Sequence, residues 1–205
     1  MSWGTAEGDK TFRAAIRAIE DNSSVECVIA VRARARLFLA QHILVGLVAT
    51  YAVLIFAVLN QWPVWSTLVF PIGAGLVAAL LVEYVAPLYR FLVPASLREQ
   101  HVLAAARALF VERNVHATRA RTGLLVFIAV RDSIVQVVAD TGLLARLGQT
   151  RIDHMAQTLR VALADGPAAL GRTLANLAPE FAEAFPKPTD DTNELADQLV
   201  AVSPE

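Results

Sequence analysis

Residues 37–60, LFLAQHILVGLVATYAVLIFAVLN, and residues 64–87, VWSTLVFPIGAGLVAALLVEYVAP, are two apolar runs joined by the uncharged turn Gln61-Trp62-Pro63. A helix crosses the hydrocarbon layer of a bilayer with roughly 20 mostly apolar residues, and each run has that length. Neither carries a polar stripe of the kind that marks a helix lying on a soluble core. The reading is a helical hairpin, residues 37–89, that crosses a membrane twice. The 36 residues before it and the 116 after it together make one ordinary domain. Residues 1–36 and 90–186 are therefore expected to form a single discontinuous α/β domain interrupted by the hairpin. Residues 187–205 read as a mobile acidic tail.

The chain is 56% hydrophobic, with a mean hydropathy of +0.49. A formal charge of −1 excludes a whole-surface electrostatic grip on nucleic acid, so no nucleic-acid partner is expected. Cys27 is the one cysteine, which excludes an intrachain disulfide. Sixteen arginines against two lysines, with many alanines and valines, point to a GC-rich bacterial genome. The first 30 residues hold no apolar run of signal-peptide length. Arg17, Arg32, Arg34 and Arg36 precede the first span, and Arg90, Arg98 and Arg107 follow the second. By the positive-inside rule both termini and the soluble domain are cytoplasmic on a bacterial inner membrane, with Trp62 and Trp65 at the far interface.

Within the spans, Gly46 with Thr50 and Gly75 with Ala79 are small residues at helical spacing that let two helices approach closely. Packing inside the hairpin is the expected use, and a homodimer is the alternative. His42 and Glu83 each lie roughly 8–9 Å inside the same face at 1.5 Å rise per residue. They are expected to meet as an intramembrane pair, because an unpaired charge in lipid is costly. A proton relay is the lesser reading of that pair.

Outside the hairpin, Phe12, Ala15, Ile16 and Ile19 have helical spacing, and Val25 to Val31 alternates as a strand over 24–33. Arg32, Arg34 and Arg36 at its end, with Arg131, are placed at the membrane surface, against lipid headgroups. Ser96-Leu97-Arg98-Glu99 has the form of a capping box opening a helix to about Asn114. Residues 122–130 and 133–140 are apolar strands about a turn at Arg131-Asp132. Because both are apolar throughout, both sheet faces should be covered by helices. Thr150 is expected to cap a helix that stops at Asp165-Gly166-Pro167, and Pro179 to kink or split the helix that follows.

A crossover through the hairpin makes strands 24–33 and 122–130 parallel neighbours in a small mixed sheet. Glu20, Asp21, Ser23, Glu26 and Asp140 are then expected at the membrane-distal edge. Glu20, Asp21, Glu26 and Asp140 are candidate oxygen ligands for Ca²⁺ or Mg²⁺, and Asp140 is the candidate catalytic residue, holding a metal or activating water. The alternative is that Glu20 and Asp21 form a solvated helix end and Asp140 caps the turn before Gly142. His101, His116 and His154 lack metal-ligand spacing, and no G-x-S-x-G, P-loop, H-E-x-x-H or C-x-x-C is present.

Ile16-x-x-Ile19-Glu20, Ser24-Val25-Glu26, the run from Thr118 to Phe127, Val135 to Gly142, and Phe185-Pro186 followed by Asp190-Asp191-x-Asn193-Glu194-Leu195 together resemble the TPM domain family. That family includes a thylakoid acid phosphatase, photosystem II repair proteins and acetylcholine-receptor modulators. The resemblance implies a Rossmann-like three-layer α/β sandwich and no agreed activity. Two functions are expected from different classes. One is a non-catalytic, membrane-anchored module that binds the bilayer and another membrane protein. The other is a metal-dependent phosphatase built on the acidic edge.

Overall fold

The structure, a computed structural model, describes residues 6–32, 39–84, 93–188 and 199–201. Contacts divide the chain into two units, residues 1–35 with 99–205, and residues 36–98.

The hairpin unit holds α2 (Leu39–Leu59) and α3 (Val64–Tyr84). Both are long and apolar enough to cross a membrane, and only 6% and 17% of their candidate spans are buried. A core helix of a soluble protein would be mostly covered, whereas here Leu44, Leu68 and Ile72 stand more than half exposed. The helices close on each other where side chains are smallest. A Cβ added to Gly75 would lie 2.0 Å from Thr50 Oγ1 and 2.8 Å from the Gly46 carbonyl oxygen. Gly46, Thr50, Gly75 and Ala79 thus form the seam within the hairpin, while Gly73 meets nothing within 4 Å. At the turn, Gln61 takes φ 52°, and Trp62 packs edge-on against Phe56 and Phe70 at 5.9 and 5.7 Å.

The other unit begins with α1 (Ala6–Glu20) and β1 (Glu26–Arg32), and resumes from Glu99 within α4 (Ala95–Glu112), followed by a 3₁₀ turn at Val115–Ala117. It continues through β2 (Gly123–Ala129), β3 (Ile134–Ala139), α5 (Thr141–Leu147), α6 (Gln149–Leu163), α7 (Pro167–Ala175), α8 (Ala178–Ala184) and β4 (Leu199–Ala201). The sheet order is β3-β2-β1-β4. β1 is parallel to β2 and β4, and β3 is antiparallel to β2.

Period-two alternation sends Cys27, Ile29, Leu124, Val126, Val135 and Val137 to one face, into a core with α1 and α5 to α8. Val28, Ala30, Leu125, Phe127 and Ile134 go to the other, against Val102, Ala106, Leu109 and Phe110 of α4. Covered faces explain why β2 is buried along its whole length.

Several local expectations differ from the structure. The β2–β3 connection is Val130 to Ser133, longer than the Arg131-Asp132 turn, with Ser133 at φ 54°. α4 starts at Ala95, so Ser96 sits inside the helix, and Glu99 accepts a hydrogen bond from Arg160 Nη1 at 2.9 Å instead of reaching back to Ser96. α6 starts at Gln149 behind Gly148, whose φ of 79° sets the helix entry, so Thr150 does not cap it. Pro179 accompanies a split between α7 and α8. The segment read as a mobile tail from 187 contributes β4 through backbone pairing, which composition does not reveal.

Candidate functional site

The entry of β1 and the exit of β3 lie at one end of the sheet. Glu26 is in register with Gly123, and the Asp140 amide donates to the Gly123 carbonyl at 2.9 Å. Two strand spacings therefore put the backbones of Glu26 and Asp140 roughly 10 Å apart. Thr122 links the strands there: its Oγ1 donates to the Ser24 carbonyl at 2.6 Å, and its amide donates to Thr118 Oγ1 at 3.0 Å.

The sequence-predicted acids fare differently. Glu20, the last residue of α1, is buried, and its Oε1 accepts from the Cys27 amide at 3.1 Å. That amide points away from β2, at a height on β1 below the first residue paired with β4, so the carboxylate stands where a neighbouring strand would be. Lys187 Nζ donates to the Glu20 carbonyl at 2.6 Å. Glu26 is buried at the head of β1, whereas Asp21 is exposed on the turn. Ser23 is buried, and its hydroxyl donates to the Ile19 carbonyl and accepts from the Val25 amide. Burial, with Glu20 and Glu26 adding negative potential, pushes the Cys27 thiol well above its ordinary value.

Asp140 is 5% exposed. Its Oδ1 accepts from the Thr141 amide at 2.6 Å, capping α5 as the turn reading anticipates. Its Oδ2 is buried without a hydrogen-bond partner. Among the described residues, no three His, Cys, Asp or Glu side chains gather as a metal-ligand set. The structure therefore brings Glu20, Glu26 and Asp140 to one end of the sheet without converging them, and leaves Asp21 in solvent.

Beside this end is an open cleft of about 480 Å³, lined by Ser24, Thr122, Gly142, Ala145, Arg146 and Phe185. The Arg146 guanidinium sits 5.3 Å from the centre of the Phe185 ring. Gly142 lets α5 approach the chain before β2, since a Cβ there would lie 2.6 Å from the Ala120 and Arg121 carbonyl oxygens. The cleft and α5 go beyond what the sequence reading gives. Asp140 followed by Leu143, Leu144 and Leu147 was the available signal, a cap and one apolar face.

Basic residues hold the opposite end of β1. The Val130 amide donates to the Arg32 carbonyl at 3.0 Å, which brings the Arg131-Asp132 turn beside Arg32. The Arg32 guanidinium lies 5.8 Å from the centre of the Phe127 ring. Arg34 and Arg36 lie outside the described residues. In the hairpin, His42 is partly buried on α2, and the side chain of Glu83, on the last turn of α3, also lies outside them, so their pairing is not described.

No protein-family model and no curated protein matches the chain. Among solved structures, the chain is similar to the NMR structure of BA42 protein from the psychrophilic bacterium Bizionia argentinensis sp. nov.. The TM-score is 0.60 at 16% identity, over 98% of this chain and 97% of that one. At that identity the likeness is one of fold.

Proposed function

We propose that this protein is a membrane-anchored α/β domain of TPM type that acts as a non-catalytic accessory module, engaging another protein of the same membrane. The observation that carries the reading is the outer surface of α2 and α3, apolar and exposed along both helices, which lipid would cover. The anchor interrupts a sheet whose β1 and β2 are parallel neighbours and whose two faces are both packed with helices, which supports a Rossmann-like three-layer arrangement. The Thr122-Gly123 and Asp140-x-Gly142 segments behind the TPM resemblance stand together at the acidic end of that sheet. Two of the buried acids there are engaged in holding backbone, Glu20 on Cys27 and Asp140 on Thr141, which supports a structural use for them. Arginine counts support a bacterial inner membrane with both termini and the domain cytoplasmic, and Arg32 with Arg131 facing headgroups.

Cross-linking in native membranes tests this reading. The expected result is one recurrent membrane protein captured by the full-length chain and lost when residues 37–89 are replaced by a soluble linker. Capture that ignores the hairpin would contradict it.

The second reading, a metal-dependent phosphatase, is favoured by the orphaned Oδ2 of Asp140. One free carboxylate oxygen falls short of the six to eight ligands of a Ca²⁺ cage, and Mg²⁺, which keeps several waters, would require this buried oxygen to open towards solvent. Mg²⁺-dependent turnover of a generic phosphate ester, lost in Asp140→Asn, would replace the first reading with this one.

A further inference from the structure

Tyr51 stands twelve residues after the start of α2 at Leu39 and eight before its end at Leu59. At 1.5 Å rise per residue its Cα is roughly 18 Å from one end of the helix and roughly 12 Å from the other. Its side chain is 61% exposed, on an aliphatic ridge with Leu44, Val48, Ile55 and Val58, each more than half exposed. Helical side chains lean towards the N-terminus by about one turn, 5.4 Å. The hydroxyl therefore stays about two turns short of the Leu39 end.

Neighbouring hydroxyls of the hairpin are satisfied by its own backbone. Thr50 Oγ1 donates to the Gly46 carbonyl at 2.9 Å, Ser66 Oγ to the Pro63 carbonyl at 2.7 Å, and Thr67 Oγ1 to the same carbonyl at 3.2 Å. Tyr51 has no such route, because its ring holds the hydroxyl away from the backbone. Among the described residues that hydroxyl meets no hydrogen-bond partner. In hydrocarbon no water replaces a missing partner, and acyl chains offer no acceptor. A neighbouring helix does, through a side-chain oxygen. A second copy of this chain fits less well. Two facing Tyr51 hydroxyls leave one proton without an acceptor, and the small-residue seam that would let copies approach is already closed between Gly46 and Gly75.

Resting on the membrane-anchored accessory reading above, we infer that the ridge of α2 around Tyr51 is a docking surface for a transmembrane helix of another protein, one that presents a side-chain oxygen acceptor at the depth of the Tyr51 hydroxyl. Leu44, Val48, Ile55 and Val58 supply the aliphatic contact. The hydroxyl fixes the register and discriminates against helices that carry no acceptor there.

The test uses the full-length chain in native membranes, with a photoreactive benzophenone side chain introduced at Val48, beside an intact Tyr51. The expected cross-link maps to a membrane-spanning segment of one other protein, at a stretch holding Asn, Gln, Asp, Glu, Ser or Thr. Tyr51→Phe, which removes only the hydroxyl, should lower that capture about threefold or more. Because the hydroxyl bonds to nothing in the described chain, Tyr51→Phe should leave thermal unfolding in detergent unchanged. A lowered melting temperature would assign the hydroxyl to the fold and overturn the proposal. Capture that ignores Tyr51→Phe, yet is lost when residues 37–89 are replaced, would overturn it and leave the accessory reading standing. Capture of a second copy, or of no protein at all, would overturn it as well.

Discussion

The carboxylate of Glu20 accepts the backbone N–H of Cys27 at 3.1 Å, closing the part of the β1 edge that β4 leaves bare. An unsatisfied buried amide costs on the order of 1–3 kcal/mol, so Glu20→Ala should lower unfolding stability by about that amount. Glu20→Gln keeps an oxygen acceptor and should retain most of it. Chemical denaturation of the three proteins in detergent checks this, and equal losses in both variants would assign the role to charge instead.

The seam of the hairpin makes a matched pair of predictions. Gly75→Val puts side-chain atoms into Thr50 and the Gly46 backbone, and should destabilise the helix pair by about 1–3 kcal/mol. Gly73→Val, where nothing lies within 4 Å, should be nearly neutral. Thermal unfolding of the two variants in the same detergent separates them.

Asp140 divides the two functional readings. As a helix cap it should tolerate Asn, an equally good capping residue, and lose about 0.5–2 kcal/mol on Ala substitution. If Oδ2 also holds a divalent cation, Mg²⁺ should raise the melting temperature of the wild type and not of Asp140→Asn. Calorimetry with and without Mg²⁺ reads both effects at once.

Cys27 predicts a pH dependence. Burial, aided by Glu20 and Glu26, raises the folded thiol above its ordinary value of 9.0. The unfolded thiol ionises near that value and the folded one does not. The stability contributed by this group is therefore complete below about pH 9, and falls by about 1.4 kcal/mol per pH unit above it until the folded thiol titrates. Denaturation at pH 8 and pH 10 should show the loss, and Cys27→Ala should reduce it. A thiol reagent should modify Cys27 only on unfolding.

What the sequence made legible follows from the range of the forces involved. Length and apolarity accumulate residue by residue, so two helices long enough to cross a membrane, Leu39–Leu59 and Val64–Tyr84, are readable from composition, and a sheet covered on both faces leaves apolar runs such as 123–129 that are hard to mistake. Arg160 lies 61 positions from Glu99, and no local motif foretells that this carboxylate would leave the capping-box geometry for it. β4 is three residues held by register alone, and α5 is seven residues, marked in sequence only by the Asp140 cap and a single apolar turn at Leu143, Leu144 and Leu147. Topology alone gathers Glu20, Glu26 and Asp140 at one end of the sheet, but whether they converge depends on side-chain partners such as the Cys27 amide, which pattern alone does not supply.

Leu47 and Leu76 stand 50% and 63% exposed on the hairpin, and Leu59 beside its turn is 77% exposed. The chain itself leaves these positions uncovered, and the proposed membrane hairpin places Leu47 and Leu76 in lipid. With Cys27 buried, single Leu47→Cys, Leu76→Cys and Leu59→Cys variants in sealed vesicles, challenged with a membrane-impermeant maleimide, measure the central claim. Leu47→Cys and Leu76→Cys should stay unlabelled until detergent is added, while Leu59→Cys labels from the face where the turn emerges. Prompt labelling of Leu47→Cys and Leu76→Cys in intact vesicles would contradict the membrane hairpin.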